Sequence, residues 1–191
     1  QAVYNRKMVN TQISTILSNA GLDVSLLGNM TFSIEPFNHT LSVFGLDEKT
    51  KSIVEQLLNS DNNSVELFYH VMQSNRSRID DSVMDKYRAI HDFKEVTGED
   101  LRTYSQTKDG FVDEKGRNAL DVYKKALETT DSIPSQFKGA AFEVFSGNLK
   151  NLMGKDFASI PDMILQIGFS NGELQDNVFN SDIMRRLNTH I

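Results

Sequence analysis

Apolar residues recur at helical spacing through most of the chain. Side chains three and four positions apart share one face of a helix, so this spacing predicts amphipathic helices. Capping residues and glycines delimit six such segments: 3–20, 47–58, 64–72, 80–97, 119–129 and 134–153. A last short helix is predicted over Ser181–Leu187. The pattern therefore predicts a mostly helical protein.

One stretch near the start, Thr31–Gly45, alternates at strand spacing instead. We interpret it as a β-hairpin whose two-residue loop is Asn38-His39, because Asn tolerates the positive φ that such a loop needs. Pro36 lacks a backbone N–H, so its part of the strand is expected at a sheet edge.

This register predicts that one face of the hairpin is apolar. Ile34 would lie opposite Val43, with Phe32 and Leu41 beside them. A lone hairpin is marginally stable in water, so helices must cover that face. We therefore predict an α+β, mostly α fold: a helical domain with one antiparallel β-hairpin (about residues 31–45) packed on helices.

Residues 99–118 form the longest polar, turn-rich stretch, and they predict a long loop or a weak second hairpin. No repeat or linker divides the chain elsewhere. We expect residues 1–191 to form a single domain, with this stretch as its only candidate seam.

Composition narrows the possible functions. The 191 residues include no cysteine, which excludes disulfides, thiolate metal sites and cysteine nucleophiles. A net charge of −6 argues against general nucleic-acid binding, and no apolar run has the length of a membrane span. Because the chain begins with Gln1 rather than Met, we expect a piece of a longer precursor.

Residues 105–116 can be aligned with a twelve-residue calcium loop. Asp109 and Asp113 fall at ligand positions, but Ser105 and Gly116 stand where the two essential carboxylates belong. A polar turn explains this degenerate loop better, and calcium binding is kept as a minor alternative.

Histidine chemistry has weak support in the sequence. His91 and Glu95 share a helix face at i, i+4, which favours a solvated ion pair over a metal site. His70 is expected to be a half-buried packing residue. No nucleophile or phosphate-binding motif is present, so we predict no catalytic, cofactor-binding or metal residues. An enzyme with a dispersed site, including His70, His91 or Tyr87, is the alternative.

Four stretches carry a family resemblance, namely Phe32–Pro36, Leu41–Leu46, Ile53–Asn59 and Leu67–His70. Through them the first part of the chain, roughly 75 residues, resembles an uncharacterised bacterial family of unknown function. The resemblance implies a bacterial source and a secreted or surface-attached protein. It implies no activity and no site residues.

These observations favour a non-enzymatic binding or structural module of a larger bacterial secreted or envelope protein. Such a module is expected to bind protein partners through an exposed apolar patch, and to bind no cofactor and no nucleic acid.

Overall fold

The computed structural model describes residues 2–176, with side chains from Arg6 onward. Helices form most of this part of the chain, as predicted. They are α1 (Ala2–Asn19), α2 (Glu48–Leu58), α3 (Asn63–Asn75), α4 (Asp81–Thr97), α5 (Ala119–Thr129) and α6 (Ser135–Met153). The helix predicted over Ser181–Leu187 lies outside the described residues.

Local capping signals set several helix ends. The Asp47 side chain accepts hydrogen bonds from two backbone N–H groups in the first turn of α2, and the Asn118 side chain accepts one at the start of α5. Gly98, with a φ of 74°, ends α4. Helix α3, predicted to start with the segment 64–72, begins at Asn63 after a residue with positive φ, so Ser64 is not its capping residue.

The strands form two antiparallel sheets in the described chain. They are β1 (Met30–Ile34), β2 (Leu41–Phe44), β3 (Ser105–Thr107), β4 (Gly110–Val112), β5 (Leu165–Ser170) and β6 (Glu173–Gln175). One sheet has the order β2-β1-β5-β6, and β3 pairs with β4 in the other. The prediction of a single hairpin is therefore too simple, because β5 and β6 extend the first sheet.

The register between β1 and β2 differs from the predicted one by two residues. Ile34 lies opposite Leu41 and Phe32 lies opposite Val43. The difference arises because the connection spans residues 35–40 rather than two residues. A shift of two keeps every side chain on its predicted face.

The connection is held by its own polar groups. The Glu35 carboxylate accepts hydrogen bonds from the backbone N–H groups of Phe37 (2.9 Å) and Asn38 (2.6 Å). His39, with a φ of 59°, takes the left-handed conformation that was predicted for Asn38. Pro36 lies in this loop and not on an edge strand.

The apolar face of β1 and β2 is buried, as predicted. Its four side chains, Phe32, Ile34, Leu41 and Val43, are at most 2% exposed. On β5, Phe169 extends this face, with its ring centroid 5.5 Å from that of Phe32. Helix α2 packs beside β2, and α3 packs beside β5.

Side chains of α2 occupy the outer edge of β2. Glu55 accepts a hydrogen bond from the backbone N–H of Val43 at 2.8 Å. Asn59 accepts from the N–H of Leu41 and donates to its carbonyl, both at 2.8 Å. The Asn59 amide thus takes the place of a neighbouring strand.

Side chains of helix α1 likewise bind backbone groups at the opposite edge of the sheet, on β6. Asn10 accepts a hydrogen bond from the backbone N–H of Leu174 on β6 at 3.0 Å, and Arg6 donates to its carbonyl at 3.3 Å. Both edge strands therefore carry backbone groups that helix side chains already bind, which is a known means of preventing edge-to-edge pairing.

The chain divides into two compact units. Residues 2–78 and 164–176 of the described chain belong to the first, which contains the four-stranded sheet, and residues 79–163 form the second. The candidate seam at 99–118 lies within the second unit. Single-domain organisation stays a prediction.

Aromatic rings form the core of the second unit. Tyr123 stacks on Phe145 with centroids 4.0 Å apart, and Phe93 lies against Phe145 and Tyr104. Gln106 on β3 donates hydrogen bonds to the carbonyls of Leu152, in the last turn of α6, and Lys155, just after the helix. These contacts tie the small sheet to the helices of its own unit.

Candidate functional site

The second unit contains an apolar groove of about 320 Å³ beside α6. Helices α4, α5 and α6 and the segment before α6 supply its walls. Its lining residues are Asp92, Glu95, Val96, Tyr123, Ile133, Phe137, Ala140, Ala141 and Val144.

The groove exists because the apolar arc of α6 is wider than the face that the helix buries. Phe145 and Leu149 are buried, whereas Phe137 is 55% and Val144 57% exposed. Residues advance by 100° per position on a helix, so Phe137, Ala140 and Val144 lie together on the flank of the buried face. The apolar spacing that predicts the helix over 134–153 includes Phe137 and Val144, and both are largely exposed.

Tyr123 forms the floor of the groove. Its side chain is held between the groove and Phe145, and only 2% of the residue is exposed. Burial, with a smaller contribution from Asp92, raises the pKa of Tyr123 to about 12. The floor is therefore a neutral phenol at physiological pH.

The α4 wall of the groove is acidic. Asp92 and Glu95 are its charged residues. The neighbouring His91 places Nδ1 3.2 Å from Asp92 Oδ1, and this hydrogen bond raises the pKa of His91, with a further contribution from the charge of Glu95. The predicted pairing of His91 with Glu95 is thus replaced by a closer contact with Asp92.

A second concavity in the same unit is polar. It has a volume of about 590 Å³ and lies beside α5, with Glu99 and Arg117 in its wall. Arg117 makes two hydrogen bonds to the Glu99 carboxylate, at 2.9 and 3.1 Å, and one to Asp113 at 2.7 Å. Tyr104 donates to Glu99 at 2.6 Å. This wall is an internally paired network.

The pKa values of this network follow from the pairing. The hydrogen bond from Tyr104, followed by that from Arg117, lowers the pKa of Glu99. Burial, together with the same Glu99 contact, raises the pKa of Tyr104 to about 12. The carboxylate is charged and the phenol is neutral at physiological pH, so neither is poised to transfer a proton there.

Residues 105–116 do not have the conformation of a calcium loop. Strands β3 and β4 occupy half of the segment and are joined by a turn at Lys108-Asp109. Asp113, a candidate ligand, accepts hydrogen bonds from the Arg117 side chain and from the backbone N–H of Lys115. Among residues 2–176, no three His, Asp or Glu side chains group in a way that could hold a metal ion.

The structure assigns His70 to the first unit, whereas Tyr87 and His91 lie on α4 in the second. Arg6 Nε donates to His70 Nε2 at 2.7 Å, and the same guanidinium binds the Asp176 carboxylate at 2.6 Å. His70 is half-buried, as predicted. The ring centroids of Tyr87 and His91 are 5.7 Å apart.

The fold and the groove define an α+β protein, mostly helical, with an exposed apolar groove. The chain belongs to the family described as Domain of unknown function (DUF4885), which matches residues 1–182. The predicted resemblance to an uncharacterised bacterial family is confirmed, and it extends well beyond the first part of the chain.

A similar protein of Bacillus subtilis (strain 168) is described as uncharacterized protein YbdO. It is 33% identical over 180 residues, a match that covers 92% of this chain and 45% of YbdO. The chain thus spans less than half the length of this curated relative. No solved structure matches the chain. In the part of the chain that the structure describes, no helix combines the length and apolar character of a membrane span.

Proposed function

We propose that this chain is a non-enzymatic module that binds a helical segment of a partner protein in the groove beside α6. The observation that carries the proposal is the exposure of Phe137 and Val144 in one continuous apolar surface with Ile133 and Tyr123. Exposed apolar patches bounded by polar residues are typical of interaction sites. Amphipathic helices commonly bind partners in such grooves.

The alternative is an enzyme with a dispersed histidine or carboxylate site, and the polar concavity is where carboxylates could form one. Its contacts favour this alternative less than the groove favours a binding module. The Arg117 guanidinium binds the carboxylates of both Glu99 and Asp113, and these ion pairs would have to break before either partner could bind a substrate. This hydrogen-bonded network is consistent with a structural role, because it joins the turn at 113–117 to the end of α4.

The longer protein and its compartment belong to the same proposal. The chain would act as one part of a larger bacterial protein, which is supported by the greater length of YbdO. Location in the envelope or outside the cell stays a prediction.

Site-directed photo-crosslinking in the bacterium that makes the protein tests this function. Ala140, which lines the groove, is replaced by p-benzoylphenylalanine. Lys124, exposed on α5 and not part of the lining, carries the same group in a control. We expect a defined protein adduct from position 140 and not from position 124.

The adduct must also depend on the apolar surface. Phe137→Ser in the background of the reactive position 140 should remove it, while the exposed, remote Lys150→Ser should leave it unchanged. An adduct that is equally strong from both reactive positions, or that survives Phe137→Ser, would show that the groove is not a binding site.

A further inference from the structure

We infer that the segment bound in this groove is a basic amphipathic helix, with apolar anchors toward α6 and Lys or Arg residues toward α4. The inference rests on the proposed function and specifies the chemistry of the partner. Three properties of the groove support it: the spacing of its apolar residues, the sign of its charges and the neutrality of its floor.

The apolar spacing suits a helix. Phe137 and Val144 are two turns apart on α6, which is about 10 Å along the helix axis. A partner helix that presents apolar residues at i, i+3 or i+4, and i+7 covers the same length. The small side chains of Ala140 and Ala141 between them let the backbone of such a helix approach closely.

The charge of the groove selects basic residues. Its two charged lining residues, Asp92 and Glu95, are both acidic and lie on the wall facing α6. They are three positions apart on α4, so their side chains project from the same side of the helix. The whole chain also carries a net charge of −6. Complementary charge at the rim of an interface speeds association and excludes wrong partners.

At neutral pH, two further titratable groups beside the acidic wall, Tyr123 and His91, affect its charge differently. Tyr123 is neutral there because its pKa is raised to about 12. His91 binds Asp92 through Oδ1 and offsets it only when protonated. His91 contacts Asp92 and not Glu95, so Glu95 contributes more of the negative charge of the groove and is the residue to change.

Three synthetic peptides, each constrained as a helix of about 15 residues, test the inference. All carry Leu at i, i+3 and i+7. The flanking positions facing α4 are Lys in the first peptide, Glu in the second and Gln in the third. Their dissociation constants with the intact chain are measured by fluorescence anisotropy at low salt.

We expect the Lys peptide to bind at least about tenfold more tightly than the Glu peptide, with the Gln peptide between them. Glu95→Lys should weaken binding of the Lys peptide and strengthen binding of the Glu peptide. Glu143→Lys introduces the same charge change on the exposed surface of α6, outside the lining, and should preserve the order.

The outcomes separate this inference from the proposed function. If all three peptides bind equally and Phe137→Ser abolishes binding, the groove binds helices but not basic ones, and the inference is wrong. If none binds, or if Phe137→Ser has no effect, the proposed function fails with it. A reversal by Glu143→Lys equal to that by Glu95→Lys would reduce the preference to net charge and also overturn the inference.

Discussion

His70 and His91 lie in environments that move their pKa values in opposite directions. Burial, followed by the nearby Arg6 guanidinium, lowers the pKa of His70, while Asp176 opposes the shift. The hydrogen bond to Asp92 raises the pKa of His91. His70 thus accepts from Arg6 as a neutral ring, whereas His91 is stabilised as a cation.

The two histidines should therefore affect stability in opposite ways as pH changes. A lowered folded pKa means that unfolding takes up a proton, so the contribution of His70 is present above about 6.5 and is lost as pH falls through the lowered value. A raised folded pKa means that the contribution of His91 is present below about 6.5 and is lost as pH rises through the raised value.

Melting temperatures at about pH 5 and about pH 8 check this expectation. His70→Gln, which keeps an acceptor for Arg6, should destabilise least at the lower pH. His91→Gln should destabilise most there and approach the wild type at the higher pH. Parallel pH profiles for the two variants would contradict the assignment.

At the scale of elements, helix side chains replace missing strands at both edges of the four-stranded sheet. Asn59 is the clearest case, since its amide binds both backbone groups of Leu41. Asn59→Ala would leave a backbone donor and acceptor of β2 without these partners.

We expect Asn59→Ala to lower the free energy of unfolding by about 1–3 kcal/mol, because the backbone N–H and carbonyl of Leu41 would lose their hydrogen-bond partners. Gln56→Ala, on an exposed position of the same helix, should change it by less than about 0.5 kcal/mol. Urea unfolding measures both. Equal effects of the two substitutions would mean that the edge contacts contribute nothing specific.

The turn between β5 and β6 gives a second prediction at this scale. Asn171 and Gly172 have φ values of 51° and 81°, as a two-residue hairpin of the primed type requires. A Cβ at Gly172 would also lie 3.3 Å from Ser14 Oγ. Gly172→Ala should therefore destabilise the protein by about 1–2 kcal/mol.

Gly139 provides the matched control. It lies within α6 with open space around it, so Gly139→Ala should stabilise the protein by up to about 1 kcal/mol through helix propensity. Thermal unfolding of the two variants should give shifts of opposite sign. If Gly172→Ala does not lower the melting temperature, the turn at 171–172 tolerates a side chain.

The sequence predicted the elements that local signals determine. Six helices and the β1 and β2 segments follow from periodicity and caps such as Asp47. The Asn171-Gly172 pair is also a local hairpin signal, but the apolar run before it is too short for helical or strand periodicity alone to predict a strand. By contrast, the pairing of β1 with β5 joins residues far apart in the chain, and no local pattern specifies it.

The candidate groove was less predictable than the fold. Helical periodicity identified Phe137, Ala141 and Val144 as one apolar face, but it does not say how much of that face a neighbour covers. The only available signal was the unusual width of the apolar arc around Ala140. The acidic wall from α4 depends on tertiary packing, so periodicity could not place Asp92 and Glu95 beside it.

At the scale of the whole molecule, the second unit is continuous in sequence and the first is not. The second has its own aromatic core, which includes Phe93, Tyr123 and Phe145. Residues 79–163 expressed alone should therefore fold.

Circular dichroism should show helix and a cooperative thermal transition for this fragment. A fragment of residues 1–78 lacks β5 and β6 and should show no such transition. A non-cooperative melt of residues 79–163 would mean that the aromatic core needs the remainder of the chain.

The pairing of β1 with β5 has a consequence for the newly made chain. On the ribosome, β1 emerges well before its partner, with the whole second unit between them. At synthesis rates of about 5–20 residues per second, the apolar face of β1 and β2 lacks its β5 partner for several seconds. During that interval this apolar face can be bound by chaperones. The second unit, whose residues lie between the two segments of the first, can fold before the first unit is complete.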